Sequence, residues 1–341
     1  MLVRLRAFPR IHIGLLDLGH ATFRMYGGVG FALSGPEITI EACHNATTEI
    51  MGLDMLDSDG QRDVVRALDL LQDMTHRARI RLLLRHMPPQ HVGLGSKTAL
   101  ILGILSAASS ALGIDVGRAD LQRLSGRGGT SGIGVNAFFD GGFIIDGGHG
   151  QQNAEEFGPS SARAPAQPPP IICRAPMPFA WQCHLLLPPG ERISGARERA
   201  FFRRETPVPQ SEALEAIALA YHGIAPAVIT QDLSLLKVAL KQFHCVGFKL
   251  REVRMQPLST QAILESFDEH PSCAAGLSSM GPLVYVVAHE DDSETVRLVQ
   301  RVCADSGAAL LGSYRGRNAG YEVSRGSGSP VDMRVPQPQF A

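Results

Sequence analysis

Apolar and polar positions along the chain fall into blocks, and most blocks predict one element. From Arg10 the order Arg-Ile-His-Ile-Gly-Leu alternates with the period of a strand, which puts Arg10, His12 and Gly14 on one face. Residues 80–85 read as a second strand. Residues 98–114 are uncharged but dotted with Gly, Ser and Thr, and they fall short of the roughly 18 apolar residues a membrane span needs. They predict a core helix that starts near Lys97. Further on, 181–187 reads as a strand and 211–243 as two or more helices broken near Pro226. A buried strand at 283–288, a helix at 293–305 and a last strand pair near Ala309 and Tyr321 complete the pattern. This strand, helix, strand order predicts an α+β sandwich for the second half. No internal repeat is visible.

Glycine and proline divide the chain. Most glycine clusters lie in the first 150 residues: Gly27-Gly28-Val29-Gly30, Gly93-Leu94-Gly95, Gly126-Arg127-Gly128-Gly129 and Gly147-Gly148. Such clusters let backbone approach a ligand or another chain segment. Residues 158–170 are too rich in proline for a regular helix or a central strand. The expected organisation is a front lobe at 1–157, a connector at 158–170, a second lobe at 171–325 and a disordered tail at 326–341.

Composition narrows the function. Of 341 residues 44% are apolar, and 33 acids against 32 bases leave a net charge of −1, so no basic footprint for nucleic acid exists. The six cysteines form no CxxC pair and read as buried, reduced thiols. The histidines show neither HxH nor HExxH spacing, so no dedicated metal site is expected. Arg4, Arg6, Pro9 and Arg10 interrupt any signal-peptide core, and a cytoplasmic protein without a membrane partner is the expectation.

The sharpest chemical signal is Pro89-Gln90-His91-Val92-Gly93-Leu94-Gly95-Ser96-Lys97-Thr98, between a strand and the start of the apolar helix. Glycines let successive N–H groups face one hollow, and the helix start adds unpaired N–H groups and a positive dipole end. The loop is therefore a phosphate site in which Gly93, Gly95, Ser96, Lys97 and Thr98 bind. A tight turn with a helix cap is the plainer alternative.

That spacing resembles the phosphate loop of the GHMP kinase superfamily. Two further stretches, 10–30 and 276–282, follow in the order that superfamily uses. More particularly, the chain resembles the β-ribofuranosylaminobenzene 5′-phosphate synthase branch. The residues that carry this are RIHIGLLDL, GGVGFAL, HVGLGSKTAL, GRGGTSGIGVNAFFDGGFIIDGGH, PSSARAP and GLSSMGPLVY. The resemblance implies a two-lobed fold, with a ribosomal-protein-S5-like front lobe and a ferredoxin-like α/β sandwich behind it. GHMP kinases carry an Asp in a segment of the type S-G-[IV]-D-N-A; here the segment is Ser131-Gly132-Ile133-Gly134-Val135-Asn136-Ala137, with glycine at the acid's place. No hydroxyl then needs to be deprotonated by that acid.

The resemblance implies that phosphoribosyl pyrophosphate condenses with 4-aminobenzoate, releasing pyrophosphate and CO2, in tetrahydromethanopterin synthesis. It implies Mg²⁺ carried by the pyrophosphate, no organic cofactor, and a homodimer. Asp146, His149 and Arg127 are the catalytic candidates. His12, Gly28, Thr130, Ser131, Ser160, Ser161, Arg163, Ser278 and Ser279 are the substrate-binding ones. For Asp146 and His149 a turn cap and an exposed side chain stay open, and for His12 a structural role. Ser160, Ser161 and Arg163 form either a lid or a polar linker, and Ser278 and Ser279 either a site contact or a plain turn. An ATP-dependent small-molecule kinase and a non-catalytic phosphate-binding member are the alternative functions.

Overall fold

The computed structural model describes residues 1–74, 79–150, 157–159, 167–193 and 195–326. The first half runs β1 (Leu2–Ala7), β2 (Arg10–Asp17), β3 (Arg24–Ala32), β4 (Ile38–His44), β5 (Glu49–Met51), α1 (Ser58–Met74), β6 (Ile80–His86), α2 (Ser96–Leu112), α3 (Arg118–Ser125), α4 (Ile133–Asp140), β7 (Phe143–Asp146) and β8 (His149–Gly150). Helix α2 is apolar all round and is accordingly buried, between the β1/β4/β6 sheet and the helices α1 and α3. Glycines in the left-handed region bound it, Gly95 at φ 67° and Gly113 at φ 70°.

The second half runs β9 (Ile171–Ala175), β10 (Trp181–Leu187), α5 (Gly195–Glu205), α6 (Gln210–Leu219), a π turn at Ala220–Ile224, α7 (Ala225–Thr230), α8 (Leu233–Phe243), α9 (Gly247–Arg254), α10 (Leu258–Glu265), β11 (Cys273–Leu277), β12 (Val284–His289), α11 (Ser293–Ser306), β13 (Ala309–Arg315) and β14 (Glu322–Gly326). Strand order β11-β12-β10-β13 with helices between gives the ferredoxin-like sandwich. Alternation sets its two faces. Trp181, Cys183, Leu185, Tyr285 and Val287 join one core, shared with β2, β3 and helices α6 to α8, while Leu186, Val284, Val286 and Ala288 pack toward α10 and α11.

Three expectations change. Pro226 does not break the helix: the π turn just before it shifts the hydrogen-bond ladder where a proline amide donates nothing, and the break falls at Gln231, φ 60°. The run Gln210–Thr230 is by length and composition able to cross a membrane, but here Ala216, Ala220, Ile224 and Val228 bury into the core at spacings of four. The last two strands do not pair with each other. β13 joins β10, whereas β14 returns to β1 and β9 joins β7, so the second half of the chain supplies strands to both front sheets. The six thiols are free, but Cys245 is exposed, just past the C-terminal end of α8. Residues 327–341 lie outside the described part.

Candidate active site

The glycine loop is held by three elements. Val92 O accepts from Leu283 N at 3.1 Å and Leu94 O from Arg10 N at 3.1 Å. Gly93 O accepts from Ser278 Oγ at 2.8 Å and from the Arg10 guanidinium. Gly93 sits at φ 108°, and a Cβ there would lie 2.4 Å from Ser278 O, so only glycine lets the loop close on the second half. Ser278 is fully buried, and its Oγ also accepts from His12 N at 3.2 Å. The expectation of substrate contact by Ser278 gives way to a loop-holding role. Its neighbour Ser279 does line the cleft.

The loop opens on a two-part cleft. An outer basin of about 520 Å³ is walled by α1, the glycine loop, α5 and the Ser279–Gly281 turn. An inner chamber of about 110 Å³ lies beyond it, lined by His12, Thr98, Thr130, Ser131, Gly134 and Glu252 among others. Arg10, Gly95, Lys97, Arg127 and Glu198 belong to both. The chamber is somewhat smaller than the 150 Å³ or so that accommodates benzene in a protein core, and it is open on one side, so an aromatic ring with a substituent fits where the chamber meets the basin.

Two guanidiniums meet at the junction. Burial first, then the Arg127 charge, lowers Arg10 to about 10, and burial lowers Arg127 too. Arg10 Nε is buried without an acceptor, while Arg127 Nε donates to Thr98 Oγ1 at 3.1 Å. Two cations facing one hollow beside a helix N-terminus form a site for a multivalent anion. Lys97, expected on the phosphate, pairs with Asp63 of α1 at 2.5 Å and stays in the wall. Ser96 lines the outer basin.

Behind the inner chamber runs a relay. Asp146 Oδ2 accepts from Ser131 Oγ and Gly132 N, both at 2.9 Å, and Oδ1 from Gly148 N at 2.9 Å. Ser131 Oγ, its proton directed to Asp146, lies 3.3 Å from His12 Nε2. Burial pushes the Asp146 carboxyl up to about 7 against the pull of its donors, and holds His12 well below its usual range, hence neutral. Nε2 then carries the proton. Gly28 is what makes room: a Cβ there would lie 2.3 Å from Ser131 Oγ and 2.9 Å from His12 Nε2.

Of the catalytic candidates, only Arg127 faces the cleft. Asp146 is buried behind Ser131 as a positioning group, and His149 Nε2 bonds Gly128 O at 3.0 Å, bracing the loop from behind. Gly28 shapes the relay rather than the ligand. Thr130 and Ser131 line the chamber. Ser160, Ser161 and Arg163 lie outside the described residues; the adjacent Pro159 reaches the chamber wall. Sequence reasoning missed Arg10, Glu198 and Glu252. The alternation Arg10-x-His12 signals the first, although a bulge at His12–Gly14 breaks that alternation one residue later. The acids sit on α5 and α9, far along the chain, and no local motif marks them. Among the described residues no three His, Cys, Asp or Glu side chains gather as a metal cage.

The architecture is that of the GHMP kinases. The GHMP kinases N terminal domain matches residues 62–144. Phosphomevalonate kinase of Streptococcus pneumoniae superposes with a TM-score of 0.68 at 12% identity over 92% of this chain and 99% of that one. Homoserine kinase of Cytophaga hutchinsonii gives 0.66 at 14% over 94% and 97%. Within that fold the sequence relatives are more specific. Beta-ribofuranosylphenol 5'-phosphate synthase of Methanocaldococcus jannaschii is 34% identical over 81% of this chain and 86% of its own, and that of Archaeoglobus fulgidus 33% over 94% and 99%. The chain belongs to the beta-ribofuranosylphenol 5'-phosphate synthase family.

Proposed function

We propose that this chain joins phosphoribosyl pyrophosphate to a para-substituted benzoate, forming a ribosyl–arene carbon–carbon bond with release of pyrophosphate and CO2, in tetrahydromethanopterin synthesis. The observation that carries the reading is the pair Arg10 and Arg127 at the mouth of a ring-sized chamber, beside the glycine loop. Pyrophosphate lies along Gly93, Gly95 and Ser96 at the start of α2, where N–H groups and both guanidiniums neutralise it as it leaves. The arene lies in the chamber. Its carboxyl-bearing carbon attacks C1 of the ribose from the face opposite the leaving group, and CO2 departs with the bond that restores aromaticity. The chamber wall excludes water from the cationic C1.

Mg²⁺ enters as part of the pyrophosphate substrate. Of the acids that line the basin, Asp63 is bound to Lys97 and Asp59 to Arg62, which leaves Glu198 without an ion pair among the described residues, too few for a resident site. A cytoplasmic homodimer belongs to the same proposal. The relatives' names put a phenol in their product, whereas the motif resemblance points to an aniline. Purified protein incubated with phosphoribosyl pyrophosphate and an equal mixture of 4-hydroxybenzoate and 4-aminobenzoate, followed by chromatography of the ribosides, tests the reaction and ranks the two. No riboside from either, together with ADP formed from ATP and homoserine, mevalonate or a sugar, overturns it.

A further inference from the structure

Among the described residues the inner chamber has one charged side chain that the outer basin does not share, Glu252 of α9. Its carboxylate is almost fully buried, at 2% exposure. Lys249, one turn earlier, meets Oε2 at 2.6 Å and donates to Leu277 O and Ser279 O, both at 3.0 Å. That ammonium has therefore spent its three donors. The other oxygen, Oε1, makes no hydrogen bond among the described residues and, unlike Oε2, keeps some accessible surface. An accessible carboxylate oxygen without a donor, on a side chain otherwise buried in the wall of a ligand chamber, suits a ligand that brings a donor.

Orientation follows from charge. A benzoate whose reacting carbon must meet C1 at the pyrophosphate end turns its carboxylate toward Arg10 and Arg127 at the junction. Its para atom is then at the other end of the ring, inside the chamber, where Glu252 is the charged side chain that the basin does not share. We propose that Glu252 Oε1 accepts the proton of the arene's para hydroxyl or amino group and is a catalytic residue of the condensation. This rests on the reading of the reaction given above.

The step balances without another reactant. As the ring carbon bonds to C1 and the C1–O bond breaks, pyrophosphate leaves with its electron pair and positive charge spreads to the para heteroatom. That heteroatom passes its proton to Glu252, leaving a cross-conjugated ketone or imine with the carboxylate on a tetrahedral carbon. The C–CO2 bond then breaks, its electrons restore the ring, and the heteroatom recovers the proton from Glu252.

The experiment uses the full-length wild-type protein and E252Q, with 4-hydroxybenzoate, 4-aminobenzoate and 4-methoxybenzoate. Wild type forms riboside from an arene with a para proton and none from the methoxy acid, although the latter binds competitively. E252Q keeps its affinity for phosphoribosyl pyrophosphate and its KM for the arene, and loses about 10²–10⁴ in kcat. Bound 4-hydroxybenzoate shows a red-shifted ultraviolet band with wild type that E252Q abolishes. Full turnover by E252Q, or equal turnover of the methoxy acid by wild type, overturns the proposal; the methoxy comparison decides it even if E252Q fails to fold. A wild type that consumes no arene at all contradicts the reaction itself.

Discussion

Arg10→Met separates binding from folding. Arg10 is buried beside a second cation: burial and then the Arg127 charge lower it to about 10 against the opposing pull of Glu252, a penalty on the charged form of roughly 3 kcal/mol at about 1.4 kcal/mol per pH unit. Its favourable interactions are the bond to Gly93 O and the attraction of the Glu252 carboxylate, and its Nε has no acceptor. An apolar side chain of similar length keeps the packing and removes the repulsion, as with other buried charges exchanged for hydrophobes. The unliganded variant should therefore be as stable as wild type or more so. Pyrophosphate binding should fall, because a charge-assisted hydrogen bond contributes about 1.5–3 kcal/mol, or roughly 10- to 150-fold in Kd. Thermal melts with and without inorganic pyrophosphate, together with titration calorimetry, read both. At a pyrophosphate concentration near 100 Kd the wild type gains about 2.7 kcal/mol, and the variant at that concentration should gain less than about 1.5. A variant that melts well below wild type yet binds pyrophosphate as tightly would refute the reasoning.

Three further outcomes follow from the same geometry. Gly28→Ala drives Ser131 off Asp146, costing about 1–3 kcal/mol and most of the activity; adding Ser131→Gly should recover stability in denaturant titration but not turnover. Because burial raises Asp146 from 3.8 to about 7, the folded state holds that proton more tightly than the unfolded one. Its contribution to stability accordingly falls as pH rises from about 4 to 7 and is level above. Asp146→Asn lacks that slope, so its deficit against wild type should be larger at pH 5 than at pH 8; an equal deficit contradicts the assignment. Ser278→Ala frees Gly93 O and His12 N from their shared hydroxyl and should raise KM for phosphoribosyl pyrophosphate several-fold with little change in kcat, measured by initial rates.

What the sequence made legible was local. The loop at 91–98, the apolar helix after it and the strands at 181–187 and 283–288 follow from glycine chemistry and side-chain period, which act over a few residues. Long-range pairing was hidden. Nothing within Glu322–Gly326 says that it returns to Leu2, and nothing near Glu252 says that it faces His12's chamber. The misplaced roles share a cause: Asp146, His149 and Gly28 carry the composition of a site, yet their side chains, or the space left by one, serve the loops that form its wall. Pro226 misled for a different reason, because the preceding π turn accommodates a proline that would otherwise end the helix.

The most direct test is to supply phosphoribosyl pyrophosphate with carboxyl-labelled 4-hydroxybenzoate or 4-aminobenzoate and count both small products. One labelled CO2 released per pyrophosphate formed, with the riboside retaining no label, is the predicted result. Pyrophosphate without CO2, or label retained in the riboside, would contradict it.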